Sequence, residues 1–323
     1  MRKSFVAAAL ATCLGWAGSA AAQNYPNRPL TLIIPFAAGG PTDVLGRTMA
    51  QRMGEILGQT IVVENVGGAG GMLGSSRVAQ AKPDGYTLLL GTVGTHAQNQ
   101  TLYKKPIYHA ANDFTPVALI AELPIVLIAT KDLPANDMKA FVAYAKQNQG
   151  KMQYGSAGAG SATHLGCVLV NQVLDTKITH VPYPGTGPAM TDLIGGRVDF
   201  LCDIITTAKP QVDGGSVKAI ATLSKTRSPA LPNVPTAVEQ GTDLEAYTWN
   251  AFFLPKGAPA DVVKKLNQAT VEAKAPNVRS RLEGLGAVFV SEDRTTPDYL
   301  GKFVRSEIEK WEKPIKAAGV SAD

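Results

Sequence analysis

The stretch LTLIIPFAAGGPTDVLGRTMAQRM, residues 30–53, decides the fold class of this chain. It opens on the apolar run Leu30–Ile34, which is typical of a buried strand, and passes through a loop with two glycines. Apolar residues then recur at helical spacing over residues 42–57. The same order of strand, loop and helix returns along the chain. This alternation predicts an α/β protein with mostly parallel sheets flanked by helices.

Two long apolar stretches indicate where the chain divides. Residues 119–130 are nearly uncharged, and residues 246–254 are apolar and aromatic. If both cross between lobes, residues 23–124 and 246–323 form lobe one, residues 125–245 form lobe two, and a cleft lies between them. A length of 323 residues agrees with two lobes, since it exceeds one ordinary domain. The predicted strands are residues 30–34, 60–64, 86–90, 152–155, 178–181, 198–202, 217–223 and 287–290, and the predicted helices are residues 42–57, 72–80, 136–147, 161–174, 186–194, 261–273 and 297–317.

The composition excludes several classes of protein. With 45% hydrophobic and 18% charged residues and a mean hydropathy of +0.01, the chain is neither a disordered protein nor one with several membrane spans. The formal net charge of +5 is spread along the chain without a basic cluster, so we expect no nucleic-acid partner.

Residues 1–22 have the pattern of a secretory signal peptide. Two basic residues precede an apolar run over residues 5–17, and small residues follow up to Ala22, after which we predict cleavage. The four residues that end at Cys13 loosely resemble a lipoprotein cleavage box, although the threonine before the cysteine is unfavourable there. After cleavage Cys167 and Cys202 remain. In an oxidising compartment they could form a disulfide, and the alternative is two buried free thiols.

Two loops that each join a strand to a helix are candidates for anion binding. The first covers residues 35–43 and the second residues 154–164, in the other predicted lobe. Such loops lie at the carboxyl edge of a parallel sheet, where the helix N-terminus offers free N–H groups and the positive end of its dipole. Neither loop contains Lys or Arg, so recognition would depend on backbone N–H and hydroxyl groups, which suit a carboxylate. The alternative for the first loop is that Thr42 or Asp43 only caps the helix.

Two further loops, residues 91–96 and 183–187, could line the same edge. Motifs that would indicate an enzyme are missing from the sequence: we find no GxGxxG, Walker loop, GxSxG, HExxH or CxxC. Asp203 is too generically spaced from other acids to name an acid/base pair. We find no nucleophile with an evident base, and we expect no catalytic residue and no cofactor.

The four histidines do not indicate a metal site. His96 and His164 have no third ligand at suitable spacing, so each is better explained as a hydrogen-bonding loop histidine than as a metal ligand. His109 and His180 are expected to be structural or exposed.

Several segments, in the same order, resemble one family. They include TLIIPFAAGGPTDVLGRTMAQRM, YGSAGAGSATHLG, HVPYPGTGPAMTDLIGGRVDF and WNAFFLPKGAPADVVKKLN. The chain resembles the periplasmic solute receptors of tripartite tricarboxylate transporters, the Bug family, from about Tyr25 to its end.

The resemblance implies a two-lobed periplasmic binding-protein fold that closes about a hinge of two crossover segments on a small carboxylated solute. In the family, the first and fifth strand–helix loops hold a carboxylate through backbone amides, hydroxyls and ordered waters, and a Thr-His loop faces the solute. This sequence has Ala38 and Ala159 where a proline and a polar residue are common, which trims both loops. The expected ligand-binding residues are Phe36, Ala37, Gly39, Gly40, Thr42, Asp43, Thr95, His96, Ser156, Ala157, Ser161, Ala162, Thr163, His164, Tyr183 and Asp203.

The expected function is that of a monomeric periplasmic receptor that delivers a small carboxylate to the permease subunits of a membrane transporter. Two alternatives stay open: a periplasmic hydrolase or isomerase acting on a carboxylated substrate, and a receptor that reports to a sensor kinase. The sequence leaves the ligand open among tricarboxylates, dicarboxylates, amino acids and aromatic acids, with a slight preference for a dicarboxylate, aromatic dicarboxylates included. Tyr183, Trp249 and Phe252 would allow an aromatic ring to stack in the cleft, or they could be core or hinge packing.

Overall fold

The computed structural model describes residues 25–322. The predicted signal peptide and Cys13 lie outside the described residues. No helix within residues 25–322 is long and apolar enough to cross a membrane.

Strands and helices alternate through most of the described chain, as the sequence pattern predicts. The strands are β1 Leu30–Ile34, β2 Ile61–Asn65, β3 Thr87–Thr92, β4 Phe114–Thr130, β5 Gln153–Ser156, β6 Thr179–Pro182, β7 Phe200–Ile204, β8 Val217–Thr222, β9 Tyr247–Pro255 and β10 Val288–Phe289. The helices are α1 Pro41–Leu57, α2 Met72–Ala79, α3 Asn99–Leu102, α4 Met138–Asn148, α5 Ala162–Leu174, α6 Thr186–Ile194, α7 Ile205–Asp213, α8 Ala260–Glu272, α9 Pro276–Gly284 and α10 Pro297–Ala317.

The strands hydrogen-bond in the order β2-β1-β3-β9-β4-β7-β5-β6, with β8 and β10 paired to β4. β1 is parallel to β2 and β3, and β5 is parallel to β6 and β7. β4 and β9 are the long antiparallel strands at the centre. These two groups of parallel strands with flanking helices are the two lobes of the fold.

β4 belongs to both lobes. Its first part, up to Pro124, pairs with β9, and its second part, from Ile125 to Thr130, pairs with β7 and β8. One continuous strand therefore leads from one lobe into the other, and β9 leads back. The sequence marks residues 119–130 only as an apolar stretch that could cross between the lobes, and in the structure the strand begins earlier, at Phe114. In the structure Pro116 lies at a register shift against β9, where a missing N–H is tolerated.

The turn after β3 is the main local difference from the sequence prediction. Gly94–Gln98 form a π-helical turn that leads into the short helix α3. A π-turn has no simple signature in hydrophobic spacing, so this segment is predicted only as a loop. Its geometry decides where the side chain of His96 points.

Cys167 on α5 and Cys202 on β7 form a disulfide, with 5.5 Å between their Cα atoms. Of the two alternatives that the sequence leaves open, the structure therefore has the bonded pair. Both residues are fully buried, so the bridge fastens α5 to the sheet inside lobe two. α5 begins at the second candidate loop.

Candidate functional site

A small chamber lies where the two lobes meet. One wall comes from lobe one and the other from lobe two, at the carboxyl ends of the parallel strands. The space that the centre of a water molecule can occupy is about 20 Å³, a little above the ~10–15 Å³ that a single water needs. The lining residues are Phe36, Gly40, Pro41, Thr42, Thr92, Ala157, Ser161, Ala162, Thr163, Thr186, Ile204 and Thr248.

Helix α7 begins after Ile204, which lines this chamber, and three further helices begin there. α1 follows Gly40, α5 follows Ser161 and α6 follows Gly185. Neither glycine supplies a side-chain cap to its helix, so the first-turn N–H groups of α1 and α6 have no side-chain partner there. One of these three helices comes from lobe one and two come from lobe two. All three point the positive end of their dipole at the same small volume.

The first loop is shaped by Asp43. Its carboxylate accepts the N–H of Gly39 at 3.0 Å, pairs with Arg47 at 2.9 Å and accepts from the amide of Asn65 at 2.9 Å. Asn65 also donates to the carbonyl oxygen of Phe36. Burial alone would raise the pKa of Asp43, but these hydrogen bonds outweigh it and hold the pKa below its usual value. Asp43 is therefore a charged residue that positions the loop, and its oxygens already have partners.

The second loop is held by hydrogen bonds among its own groups. The N–H of Ala157 donates to Oγ1 of Thr163 at 2.9 Å, and that of Gly158 donates to Oγ of Ser156 at 3.0 Å. Ser161 caps α5 by accepting the N–H of His164. Most of the amides that the sequence assigns to ligand binding are therefore engaged within the loop. The free donors nearest the chamber are the first-turn N–H groups of α5.

The lobes also touch each other around the chamber. The N–H of Ala37 donates to the carbonyl oxygen of Pro184 at 3.1 Å, and the hydroxyl of Tyr103 donates to the carbonyl oxygen of Ala159 at 3.0 Å. Both bonds join lobe one to lobe two. The structure is thus a closed form in which backbone from each lobe seals the cleft.

The electrostatics of the chamber depend on dipoles. Among the described residues, those that line it include no Lys, Arg, His, Asp or Glu. Its polar groups are backbone N–H groups at helix N-termini and the hydroxyls of serine and threonine. Such a set can hold an anion through hydrogen bonds, with no formal positive charge.

Seven of the sixteen residues expected from the sequence line the chamber. They are Phe36, Gly40, Thr42, Ala157, Ser161, Ala162 and Thr163. The other nine do not line it; they are Ala37, Gly39, Asp43, Thr95, His96, Ser156, His164, Tyr183 and Asp203.

His96 points into the core of lobe one. Its ring stacks on Phe253 with 3.8 Å between centroids, and its Nδ1 lies 2.9 Å from Oγ1 of Thr95. The π-turn directs the ring of His96 into the core and not toward the cleft. It also places the hydroxyl of Thr95 so that its Oγ1 accepts the N–H of Thr92 and donates to the carbonyl oxygen of Thr92. Complete burial lowers the pKa of His96 to about 3, so the ring is neutral.

His164 lies behind the second loop, on the side away from the chamber. Its Nδ1 accepts the N–H of Gly160 at 3.2 Å, and its ring lies 4.2 Å from that of His180. His180 in turn lies 2.7 Å from Oγ of Ser156. Burial, followed by the proximity of His180, lowers the pKa of His164 to about 3. The two neutral rings support the loop from behind.

Asp203 and Tyr183 also face away from the chamber. Oδ2 of Asp203 accepts from the hydroxyl of Thr207 on α7 at 2.7 Å, while its Oδ1 has no partner among the described residues. Side chains alternate along a strand, so Asp203 faces the opposite side from Ile204, which lines the chamber. Tyr183 donates its hydroxyl to Asp192 at 2.7 Å.

The aromatic residues offer no stacking pair for a ring. Trp249 and Phe252 are fully buried in β9, and Nε1 of Trp249 donates to Glu307 on α10 at 3.0 Å. They are core packing, the alternative that the sequence left open. Among the described residues, the aromatic side chain in the chamber wall is that of Phe36.

Five lining residues were not expected from the sequence. Thr186 begins α6 after a loop that the sequence singles out, so its position could have been found. Thr92 lies in the loop over residues 91–96, which the sequence also singles out, so its position could have been found as well. Thr248 lies in an apolar stretch, where a threonine is commonly only a β-former. The full set is Pro41, Thr92, Thr186, Ile204 and Thr248.

Two α/β lobes joined by crossing strands, with the site between them, define the class of periplasmic binding proteins. The chain matches the model of the tripartite tricarboxylate transporter family receptor over residues 45–320, and it belongs to that family. It is 43% identical over 322 residues to a UPF0065 protein of Agrobacterium vitis encoded in the TAR-I ttuE-ttuC' intergenic region, covering 99% of this chain and 92% of that one.

Solved structures agree with this assignment. The periplasmic binding protein BugD superposes with a TM-score of 0.90 at 40% identity, covering 93% of this chain and all of that one. MatC from Rhodopseudomonas palustris, solved with bound malate, superposes with a TM-score of 0.88 at 41% identity, covering 90% of this chain and all of that one. The fold and family expected from the sequence are confirmed.

Proposed function

We propose that this protein captures a small carboxylate between its lobes in the periplasm and delivers it to the permease subunits of a membrane transporter. The single observation that carries the proposal is the convergence of three helix N-termini, from both lobes, on one chamber whose lining has no charged side chain. A carboxylate there would receive N–H groups from α1, α5 and α6 together. Family membership supports the receptor role over an enzyme, and malate bound to MatC supports the ligand class.

Closure follows from the same arrangement. Donors from lobe one and lobe two meet a ligand at once only when the cleft is shut, so the ligand binds the closed form more tightly than the open one. We place lobe one at residues 23–124 and 246–323 and lobe two at residues 125–245. The change of partner along β4 at Pro124 and Ile125 supports these limits.

Export to the periplasm is part of the proposal. The signal-peptide pattern of residues 1–22 supports it, together with the family assignment. Delivery to permease subunits is supported by the family description.

The proposal is tested by deleting one donor. Ala162 is the first residue of α5, and proline is tolerated at that position of a helix although it removes the N–H. We expect Ala162→Pro to weaken the binding of malate by roughly 10- to 100-fold in isothermal titration calorimetry, because it removes a donor and narrows the chamber.

The matched control is Ala260→Pro. Ala260 is the first residue of the surface helix α8, so it undergoes the same change far from the chamber. The control should bind like the wild type. Unchanged affinity in Ala162→Pro would contradict the site, and a wild-type protein that binds no carboxylate in a panel of mono-, di- and tricarboxylates would contradict the function.

A further inference from the structure

Thr248 carries a buried hydroxyl in the chamber wall that has no hydrogen-bond partner among the described residues. Thr248 lies on β9, opposite Leu123 of β4, where the two crossing strands join the lobes. The residue is fully buried and lines the chamber, and its Oγ1 has no hydrogen-bond partner among the described residues. Burying a hydroxyl without a partner is unfavourable, so this position calls for a polar partner in the working protein.

The orientation of β9 is fixed from its other face. Trp249 and Tyr247 both donate to the carboxylate of Glu307 on α10, each at 3.0 Å. Because side chains alternate along a strand, these bonds hold Thr248 on the opposite face, toward the chamber. Rotation of the strand to satisfy Thr248 elsewhere would break the bonds to Glu307.

Three of the other hydroxyls that line the chamber already have hydrogen-bond partners. Oγ of Ser161 donates to the carbonyl oxygen of Gly158 at 2.7 Å, and Oγ1 of Thr163 accepts from Ala157. Oγ1 of Thr92 accepts the N–H of Thr95 at 3.4 Å. Thr248 thus differs from them in being wholly buried and unpartnered.

The chamber wall offers two kinds of polar group. N–H groups of α1, α5 and α6 suit one carboxylate, whereas the crossing strands add the hydroxyl of Thr248. The space is narrow, and apart from Phe36 its described walls offer no aromatic surface for stacking. An aliphatic acid with a second oxygen function matches these N–H and hydroxyl groups, whereas the lining gives an aromatic ring only the side chain of Phe36 to stack on.

We propose that Thr248 is the specificity residue for the second polar group of the ligand, and that the ligand is a short aliphatic acid with one carboxylate and a second oxygen function. The carboxylate lies at the helix N-termini, and the hydroxyl of Thr248 bonds the hydroxyl or second carboxyl group at the other end. This inference rests on the proposed function, since it assumes carboxylate capture in the chamber. It also removes the aromatic acids from the range of ligands that the sequence left open.

The test compares Thr248→Val with Thr222→Val. Valine keeps the shape of threonine and removes the hydroxyl. Thr222, on β8, is equally buried and its Oγ1 is also unpartnered, but it does not line the chamber, so it is a matched control. Thr248→Ser, which keeps the hydroxyl, is the rescue variant.

Affinities are measured by calorimetry for malate, and by competition against malate for butyrate, which has the same chain length and a single carboxylate. We expect Thr248→Val to weaken malate roughly 10- to 100-fold and to leave butyrate within about twofold. Thr248→Ser and Thr222→Val should stay within about threefold of the wild type for malate. Thermal unfolding without ligand checks that Thr248→Val is folded.

Two results would overturn the inference while the proposed function stands. One is unchanged malate affinity in Thr248→Val. The other is an equal loss for malate and butyrate, which would mean that Thr248 acts through the lobe structure. A wild-type protein that binds no acid in the panel of mono-, di- and tricarboxylates contradicts the proposed function itself, and the inference with it.

Discussion

At the scale of single residues, charged side chains near the chamber position the loops and do not line it. Asp43 holds the first loop through Gly39, while Arg47 and Asn65 occupy its oxygens. His164 and His180, both neutral, support the second loop. Under the proposed function the ligand brings the only formal charge into the chamber, where oriented N–H groups would stabilise it at little reorganisation cost.

Asp203 gives the clearest prediction at this scale. Burial raises its pKa to about 7, against which the hydrogen bonds from Thr207 and the backbone of Ile204 act only in part. Between about pH 4 and pH 7 the folded protein keeps a proton that the unfolded chain has lost. The free energy of unfolding therefore falls as the pH rises through this window.

We expect Asp203→Asn to remove this pH-dependent fall in the free energy of unfolding, because asparagine does not titrate. The asparagine oxygen still accepts the hydrogen bond from Thr207. The variant should be more stable than the wild type at pH 8 by roughly 1–4 kcal/mol, and the two should converge near pH 4. Urea unfolding at both pH values measures the difference. The histidines are the same in both proteins, so their contribution to the pH dependence cancels when the two free energies of unfolding are subtracted. A difference independent of pH would show that Asp203 does not hold a proton in the fold.

At the scale of elements, much of the fold could be predicted from the sequence, because hydrophobic spacing depends on local periodicity. Leu30–Ile34 and the helix after it begin and end within a residue of the prediction. The direction in which individual side chains point was harder to predict from the sequence. His96 was expected to face the solute, but the π-turn at Gly94–Gln98 turns it inward, and no spacing rule reports such a turn.

The lining of the chamber could be predicted where it comes from loops and could not where it comes from the interior of a strand. Glycines mark the starts of α1 and α5, so the sequence points to Gly40 and Ala162. Thr248 lies in an apolar stretch that reads as an ordinary buried strand. What distinguishes it is that its Oγ1 has no hydrogen-bond partner among the described residues, which only the folded structure shows. Which loop amides are engaged, such as that of Ala157, likewise depends on the folded loop.

The disulfide between α5 and β7 has a measurable share in stability. Cys167 and Cys202 are separated by 35 residues, and closing a loop of that length restricts the unfolded chain. We expect the double variant Cys167→Ala/Cys202→Ala to lose roughly 3–4 kcal/mol of unfolding free energy. Calorimetric affinity for malate at 25 °C should remain close to that of the wild type, because α5 keeps its packing on the sheet. Equal stability of variant and wild type in urea would show that the bridge does not stabilise the fold.

At the scale of the whole molecule, glycines form the seam between the lobes. A Cβ atom placed on Gly67 would lie 2.6 Å from the carbonyl oxygen of Pro184, and one on Gly94 would lie 2.7 Å from that of Gly160. Each contact joins lobe one to lobe two through backbone. Only glycine lets the two backbones come this close, because any Cβ atom would overlap a carbonyl oxygen of the other lobe. These contacts between the lobes exist when the cleft is closed.

Gly94→Ala should therefore act on closure and not on folding. An alanine is compatible with the helical backbone there, but its methyl group meets Gly160 when the cleft shuts. We expect malate affinity to fall about tenfold or more, with thermal unfolding of the unliganded protein unchanged. Gly150→Ala is the control, since a Cβ at Gly150 meets nothing within 4 Å.

Small-angle X-ray scattering of the wild-type protein, without and with saturating malate, tests most directly the claim that a carboxylate is captured by closing two lobes on it. We expect a smaller radius of gyration with malate for the wild type and for Gly150→Ala, and little or no change for Gly94→Ala. A wild-type protein that calorimetry shows to be saturated with malate, and whose radius of gyration stays the same, would contradict capture by closure.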